Sequence, residues 1–308
     1  MASVLGVIGG SGLYKLPGVK ARGTHRVKTP FGAPSDVIHE VRLGDVTVLF
    51  LPRHGAMHQH APSTVPYRAN VWALKKLGVT HVLSVSAVGS LREEIAPGHV
   101  VVPDQFIDRT SGRPSTFFDG GIVAHVSMAD PVCPLLAQAV AAAARATGAT
   151  VHPAGTYVCI EGPRFSTRAE SHLYRQWGAA IIGMTNVPEV FLAREAELPY
   201  ATLALATDYD CWRPHDQVDV NDILAVLHAN VARAQEVIVG LAGALPDVTA
   251  SPARGALQYA VLTKPAAFTA ALRRRYGLLL GDAMAAPTKA SSKRPRPARS
   301  ARARRGGA

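Results

Sequence analysis

A chain of 308 residues that is 48% hydrophobic can bury a full core, as one large domain or two small ones. Its formal charge of +11 sits at one end: from Ser251 onward there are 13 Lys/Arg and the single acid Asp282, whereas the first 250 residues carry 20 basic and 21 acidic side chains. The body is therefore close to neutral, and the basic balance excludes nothing and implies nothing about what the body binds. No apolar run reaches the roughly 18 residues needed to cross a bilayer. The opening MASVLGVIGG lacks a basic stretch and a cleavage pattern, so it reads as folded protein rather than a secretory leader. Cys133, Cys159 and Cys211 are odd in number and form no C-x-x-C. Free thiols in a reducing cytoplasm are expected, against a disulfide scaffold or a thiolate zinc site.

In chain order, Val4 to Ile8 reads as a short buried strand. It runs into IGGSGLY, which is no P-loop, since no Gly-Lys-Ser/Thr follows, and no G-x-G-x-x-G, since its glycines fall at 9, 10 and 12. Such a turn is a plain tight turn as readily as an anion site, although the Ser11 hydroxyl and free N–H groups suit an anion. Val46 to Leu51 is the next strand and ends in LPRHGAMHQHAP. His54, His58 and His60 raise a zinc reading, but Pro52, Gly55 and Pro62 crowd the segment, and no H-E-x-x-H glutamate or cysteine stands nearby. Arg53 with His54 is the better pair: a guanidinium fork takes two oxygens of a phosphate and the imidazole adds a third contact.

His81 to Val85 is a strand entering SVSAVGSLREE, where Ser86 and a neighbouring N–H can face the same anion; a strand that simply turns is the alternative. Val100 to Val102 is a further strand. A helix is expected to open at Pro163, with Thr167-x-x-Glu170 as a capping box, and to stop at Gly178. Ala180 to Ile182 leads to MTNVPEV, where Met184 and Thr185 precede a helix capped by Asn186, with Pro188 in its first turn and Glu189 three residues after the cap. Unsatisfied N–H groups at such an N-terminus favour negative charge. Thr202 to Ala206 is a strand that ends in TDYDCW, with two carboxylates, Asp208 and Asp210, one residue apart. A last helix from about Asn221 sets Ile223, Leu227, Val231, Ala234, Ile238 and Leu241 on one stripe.

Pro246, Ser251, Pro252 and Gly255 mark the end of the body, giving a domain over 1–245 and an extension over 246–284 whose part-apolar Ala256 to Leu280 can dock as a helix. The tail, 285–308, has no acid, aromatic or large aliphatic residue and is expected to be disordered and solvated. A nucleic-acid arm is the weaker reading of it.

Strands alternating with helices give an α/β class with helices on both faces of one sheet, and ligands in such sheets collect at the carboxyl ends of the strands. The loops at Gly9–Gly12, Arg53–His54, Ser86–Ala87, Met184–Thr185 and Asp208–Asp210 are expected at that edge. Serine, threonine, arginine, histidine and N–H groups without lysine suit free phosphate, since nucleotide phosphate more usually brings Lys and Mg²⁺.

Together IGGSGL, TPFGAPSD, RHG, GSLREEI-x-PG, DQFIDRT, EGPRFSTRAE, MTNVPE and TDYDCW, in order from about residue 4 to 240, resemble the methylthioadenosine phosphorylases of the trimeric purine nucleoside phosphorylase family. The resemblance implies a single α/β domain with a central mixed, twisted sheet flanked by helices. It implies cleavage of 5′-methylthioadenosine by inorganic phosphate, a co-substrate, to adenine and 5-methylthioribose 1-phosphate, with no cofactor and no metal. It also implies phosphate contacts from Ser11, Arg53, His54, Ser86, the Ala87 backbone and Thr185. Met184 would lie against the ribose, Phe165 near the base, and Asp208, Tyr209 and Asp210 would hold adenine. Val220 and Ile223 would wall the 5′ pocket, with His125 lent by a neighbouring subunit of a homotrimer. The chain departs from the family's animal members at Gly183, where they carry Asn, and at Asn186, which replaces a Thr.

Within that frame the two carboxylates acquire a task. Adenine leaves easily only when N7 is protonated, and a carboxylic acid can supply that proton while its other oxygen accepts from the 6-amino group. Asp208 is the candidate acid and Asp210 the second acceptor, with burial and mutual repulsion keeping one of them protonated. A turn whose two Asp residues merely cap a helix is the structural alternative. The rivals in function are a 6-oxopurine nucleoside phosphorylase acting on inosine, guanosine or methylthioinosine, a zinc hydrolase on the three histidines, and a nucleic-acid-binding protein acting through its tail.

Overall fold

The computed structural model describes residues 3–10, 12–13, 16–213 and 220–281, with the backbone alone at 220–225, 227 and 228. Ser11, the side chains of Val220 and Ile223, and the tail over 285–308 lie outside the described residues. The elements run β1 (Val4–Gly9), β2 (Ala21–His25), β3 (Ile38–Leu43), β4 (Val46–Pro52), α1 (Tyr67–Lys76), β5 (His81–Ser90), β6 (Val100–Val101) and β7 (Gln105–Arg109). They continue α2 (Pro134–Ala146), β8 (Val151–His152), β9 (Thr156–Ile160), α3 (Arg168–Gln176), β10 (Ile181–Gly183), α4 (Asn186–Glu195), β11 (Tyr200–Asp208), α5 (Val220–Gly243) and α6 (Ala270–Leu280). None of the described helices is long and apolar enough to cross a membrane.

All the strands join one mixed sheet, and β5 is its trunk. On one edge of β5, β11 runs parallel from Val82 to Gly89. On the other, β1 pairs with His81 to Ser84, and β10 joins antiparallel only at Gly89 and Ser90. Residues 85–88 of β5 therefore keep one edge without a described strand partner, and the sheet opens there. The pleat sends alternate side chains to opposite faces. Leu5, Val7, Leu203 and Leu205 join the core beneath α2 and α5, whereas Ile8, Ala204 and Ala206 join the core beneath α1, α4 and α6. Of the expected stripe on α5, Ala234, Ile238 and Leu241 are buried there.

Two helix starts differ from expectation. α3 begins at Arg168 rather than Pro163, because both bonds of the Thr167–Glu170 capping box form and set the first turn there. Asn186 does not cap α4. Its amide turns inward and donates to the Tyr200 hydroxyl at 2.9 Å and to Thr202 Oγ1 at 2.5 Å. Thr185 holds the cap position without a side-chain bond, and Val187 is extended, so regular helix starts at Pro188.

Residues 247–281 pack on the body, burying Leu257, Phe268, Tyr276, Leu279 and Leu280 in the α1/α4 core. They also clasp the segment that carries His125. Tyr276 OH accepts from Gly120 N–H at 3.1 Å, Thr263 Oγ1 from Val123 N–H at 2.8 Å, and the Ala260 carbonyl from His125 N–H at 2.9 Å. The start of the same segment hangs on buried Glu195, which accepts from the Thr116 hydroxyl and the Phe117 N–H, each at 2.7 Å. Burial pushes the Glu195 carboxyl up to about 7, from 4.5.

The departure at Gly183 has a packing cause. β10 lies parallel to β9, and a Cβ at 183 would collide with the Tyr157 hydroxyl and stand 3.3 Å from Val88 Cγ1. Tyr157 is fully buried and cannot swing away. A side chain at 183 and a tyrosine at 157 are mutually exclusive.

Two outcomes are expected. Gly183→Asn should destabilise the fold by ~3 kcal/mol, the upper end for overpacking, and Tyr157→Ala should lessen that cost. A double-mutant cycle read by denaturant unfolding should give a favourable coupling above about 1 kcal/mol. Because the folded Glu195 binds its proton more tightly than the unfolded chain does, its contribution is complete below pH 4.5 and is lost as pH rises through about 7. Glu195→Gln should remove that part of the decline in melting temperature over this window.

Candidate active site

A cavity of about 510 Å³ opens at the carboxyl ends of β1, β4, β5, β10 and β11, at the gap beside residues 85–88. That volume suits a small organic ligand. Four of the five expected loops contribute to its wall directly, and Gly10 represents the fifth.

One side of the cavity carries the anion chemistry. Arg53, at the end of β4, is buried beneath the floor, and its guanidinium faces Glu189 of α4, with Nε donating to Oε2 at 2.9 Å and Nη2 to Oε1 at 3.1 Å. Burial opposes the Arg53 charge, and the neighbouring Glu189 more than offsets it, so the guanidinium stays protonated. The fork expected to grip phosphate is thus turned on a carboxylate. His54 donates from Nδ1 to the His60 carbonyl at 2.8 Å, and its ring stacks on His58 at 4.6 Å. Burial, then the charge of Arg53, lower His54 to about 4, so at neutral pH it is uncharged with Nε2 as an acceptor. Ser86 Oγ makes only long contacts, 3.4 Å to the Ala87 carbonyl and 3.4 Å to the Tyr157 hydroxyl. Thr185 stands at the N-terminus of α4 with its hydroxyl making no capping bond. Ser86, Ala87 and Thr185 all line the cavity.

The opposite side carries the paired acids. β11 bulges between Ala206 and Asp208, which turns Asp208 into the cavity. Asp208 Oδ1 accepts from the Asp210 N–H at 2.7 Å, and its Oδ2 lies 2.6 Å from Thr207 Oγ1. Thr207 Oγ1 also lies 3.2 Å from the Val88 carbonyl, so two acceptors compete for its single proton. Burial raises the carboxyls of both Asp208 and Asp210. Asp210 adopts a left-handed backbone (φ 53°) and is 5% exposed. Gly89 permits this approach, since a Cβ there would sit 3.1 Å from Asp208 Oδ1 and 3.4 Å from the Asp210 Cβ. Trp212 pins the turn by donating from Nε1 to the Ser90 carbonyl at 2.8 Å.

Met184 lines the wall between the two halves, and Phe165, 63% exposed, stands at the rim. Two expected contacts are not in the wall. Tyr209 turns away to donate to the Glu93 carbonyl at 3.3 Å, its ring edge-on to Trp212 and beneath Arg213. His125 is exposed and apart from the cavity of its own chain. The three histidines do not converge as a metal site, with His54 Nδ1 tied to a carbonyl; among the described residues no group of three His, Cys, Asp or Glu is arranged to hold an ion.

Two residues that shape the site escape a reading of the sequence. Glu189 passes there for an acid that complements a helix dipole, and its tie to Arg53, 136 residues away, has no local signal. Arg113, in the polar stretch TSGRPS, is buried and donates from Nη1 to the Tyr67 hydroxyl at 3.1 Å, the Met184 carbonyl at 2.7 Å and the Val187 carbonyl at 2.8 Å. It fixes the turn that presents Met184 and Thr185.

Residues 4–242 match the phosphorylase superfamily. Over 284 residues the chain is 53% identical to the S-methyl-5′-thioadenosine phosphorylase of Geobacter sulfurreducens, covering 92% of this chain and 99% of that protein. Its fold is similar to that of a methylthioadenosine phosphorylase sourced from an antarctic soil metagenomic library, with a TM-score of 0.85, 50% identity and coverage of 91% and 99% of the two chains. It is also similar to a mutant of the adenosine/methylthioadenosine phosphorylase of Schistosoma mansoni in complex with methylthioadenosine, with a TM-score of 0.75, 41% identity and coverage of 80% and 94% of the two chains. The chain belongs to the S-methyl-5′-thioadenosine phosphorylases of the phosphorylase superfamily.

Proposed function

We propose that the chain cleaves S-methyl-5′-thioadenosine with inorganic phosphate to give adenine and 5-methylthioribose 1-phosphate. One observation carries this reading: a single cavity has hydroxyls, N–H groups and Arg53 on one side and, on the other, two buried carboxyls whose pKa values burial raises. Phosphate binds against Ser86, the Ala87 backbone, Thr185 and the remaining Nη1 hydrogen of Arg53, with Ser11 as a further contact. Because His54 presents an acceptor, the bound anion turns its own O–H toward Nε2. The ribose lies against Met184, and the purine packs near Phe165 with N7 toward Asp208. As the glycosidic bond stretches, positive charge grows on the sugar, Asp208 protonates N7, and Asp210 orients the acid through its N–H bond to Oδ1. Phosphate, already held on the opposite face, attacks the anomeric carbon with inversion; such positioning contributes several kcal/mol.

A carboxyl at 208 favours a 6-amino over a 6-oxo purine, since it accepts from the amino group, and a mismatch there costs about 10⁴-fold. The reaction draws on no cofactor in this reading, and phosphate is the co-substrate. The exposed His125, clasped by Ala260–Thr263, is held in place to reach the 5′ pocket of a second chain, which supports a homotrimer. Three unpaired thiols fit the reducing cytoplasm. The body over 1–245 with its extension carries the reaction, and the 285–308 tail takes no part in it.

In a nucleoside panel with phosphate, methylthioadenosine should release free base fastest, and faster turnover of methylthioinosine would transfer the assignment to the 6-oxopurine rival. Asp208→Asn should lower kcat/KM for methylthioadenosine by about 10²–10⁴-fold while the phosphate KM moves little. The wild-type rate should fall as pH rises through the elevated Asp208 value, because the acid form is the active one, and that limb should vanish in Asp208→Asn. Deleting 285–308 should leave phosphorolysis unchanged.

A further inference from the structure

An arginine beside a phosphate is ordinarily read as the counter-charge for the anion. Here the bonds of Arg53 run elsewhere. Nε and Nη2 face the two oxygens of Glu189, Nη2 lies 2.6 Å from Ser84 Oγ and 3.3 Å from the Ile8 carbonyl, and Nη1 donates to the Val85 carbonyl at 3.0 Å. Of the five hydrogens of a guanidinium, one on Nη1 is left over. The pair is 3% and 1% exposed, so water does not screen it and the two charges cancel at short range. Glu189 is fixed from behind as well: the Tyr200 hydroxyl donates to its Oε1 at 3.0 Å, and the Asn186 amide donates to the Tyr200 oxygen. An anion above this pair meets a dipole and one N–H.

We propose that Glu189 is a positioning residue that neutralises Arg53, so that bound phosphate stays under-compensated until positive charge develops on the sugar. The proposal rests on the phosphorolysis reading above. An unpaired buried guanidinium would satisfy the anion equally before and during the reaction, which raises affinity without raising rate. Cancelling that cation leaves the phosphate charge to be met by the oxocarbenium-like sugar, an interaction present only in the transition state. The neutral form of His54, with its proton on Nδ1, works in the same direction, since it adds an acceptor rather than a second cation.

The test is Glu189→Gln, which keeps the volume and removes the charge. Wild-type adenine release from methylthioadenosine is measured first; if there is none, the reading of the site fails, whatever Glu189 does. Phosphate binding is then measured by calorimetry, which needs no turnover. The expected result is phosphate binding about fivefold tighter or more, with kcat lower by about tenfold or more. If Glu189 only aims Arg53 at phosphate, Glu189→Gln instead weakens phosphate binding or leaves it unchanged, and either result overturns the proposal. Loss of the partner leaves a buried cation uncompensated. Should the Gln variant fail to fold, Glu189→Asp carries the test. Its shorter reach cannot keep both bonds, and phosphate should again bind more tightly, by about twofold or more, and should raise the melting temperature more than it does in wild type. Equal or weaker binding in Glu189→Asp would likewise overturn the proposal.

Discussion

The site depends on an interruption in one strand. β5 is paired along its whole inner length with β11, but on its other edge β1 leaves after Ser84 and β10 arrives only at Gly89. Backbone groups without a strand partner must find another, since an orphaned buried N–H or carbonyl is costly. Arg53 Nη1 takes the Val85 carbonyl, and the stretch from Ser86 to Val88 forms the wall of the cavity. The anion chemistry and the acid chemistry meet because the same ten-residue strand has Ser86 at one end of its gap and Gly89 against Asp208 at the other.

Buried polar pairs on either side of that gap work through mutual restraint. Arg53 with Glu189 is a cation whose charge has been internally cancelled, and Asp208 is a carboxyl raised by burial and held between Thr207 and the Asp210 N–H. Neither half resembles the open cluster of lysines expected for tight anion capture. The arrangement is built to hold charge in reserve, consistent with a reaction in which the largest charge appears on the ligand and only briefly.

Much of this was legible in the sequence, and the limits are physical. Strands with continuous apolar runs, such as Val46–Pro52 and Tyr200–Asp208, announce themselves because both faces are buried. β2, with the sequence ARGTH, does not, because it is an exposed edge strand without an apolar signature. The helix expected from Pro163 begins instead at Arg168, because the capping box at Thr167 sets its first turn and a proline marks only a place where a helix can start. The loops that line the cavity are legible because polar groups at strand ends are conspicuous. Glu189, Arg113 and the inward turn of Asn186 were not found, because their partners lie across the fold and nothing local distinguishes them from a dipole-complementing acid, a loop arginine and a cap. The resemblance gives adenine to the whole segment Asp208 to Asp210, but Tyr209 points to the Glu93 carbonyl, since side chains one residue apart at the end of a strand point opposite ways.

The mutual exclusion of Tyr157 and a side chain at 183 also bears on how such chains diverge. Starting from this sequence, the only gentle order of change is to shrink residue 157 first and fill residue 183 afterwards, since the reverse order passes through an intermediate that collides. Two descendants of a common ancestor that differ at both places are separated by a directed path, and a graft of one residue without the other should be expected to fail even where every neighbouring position is identical.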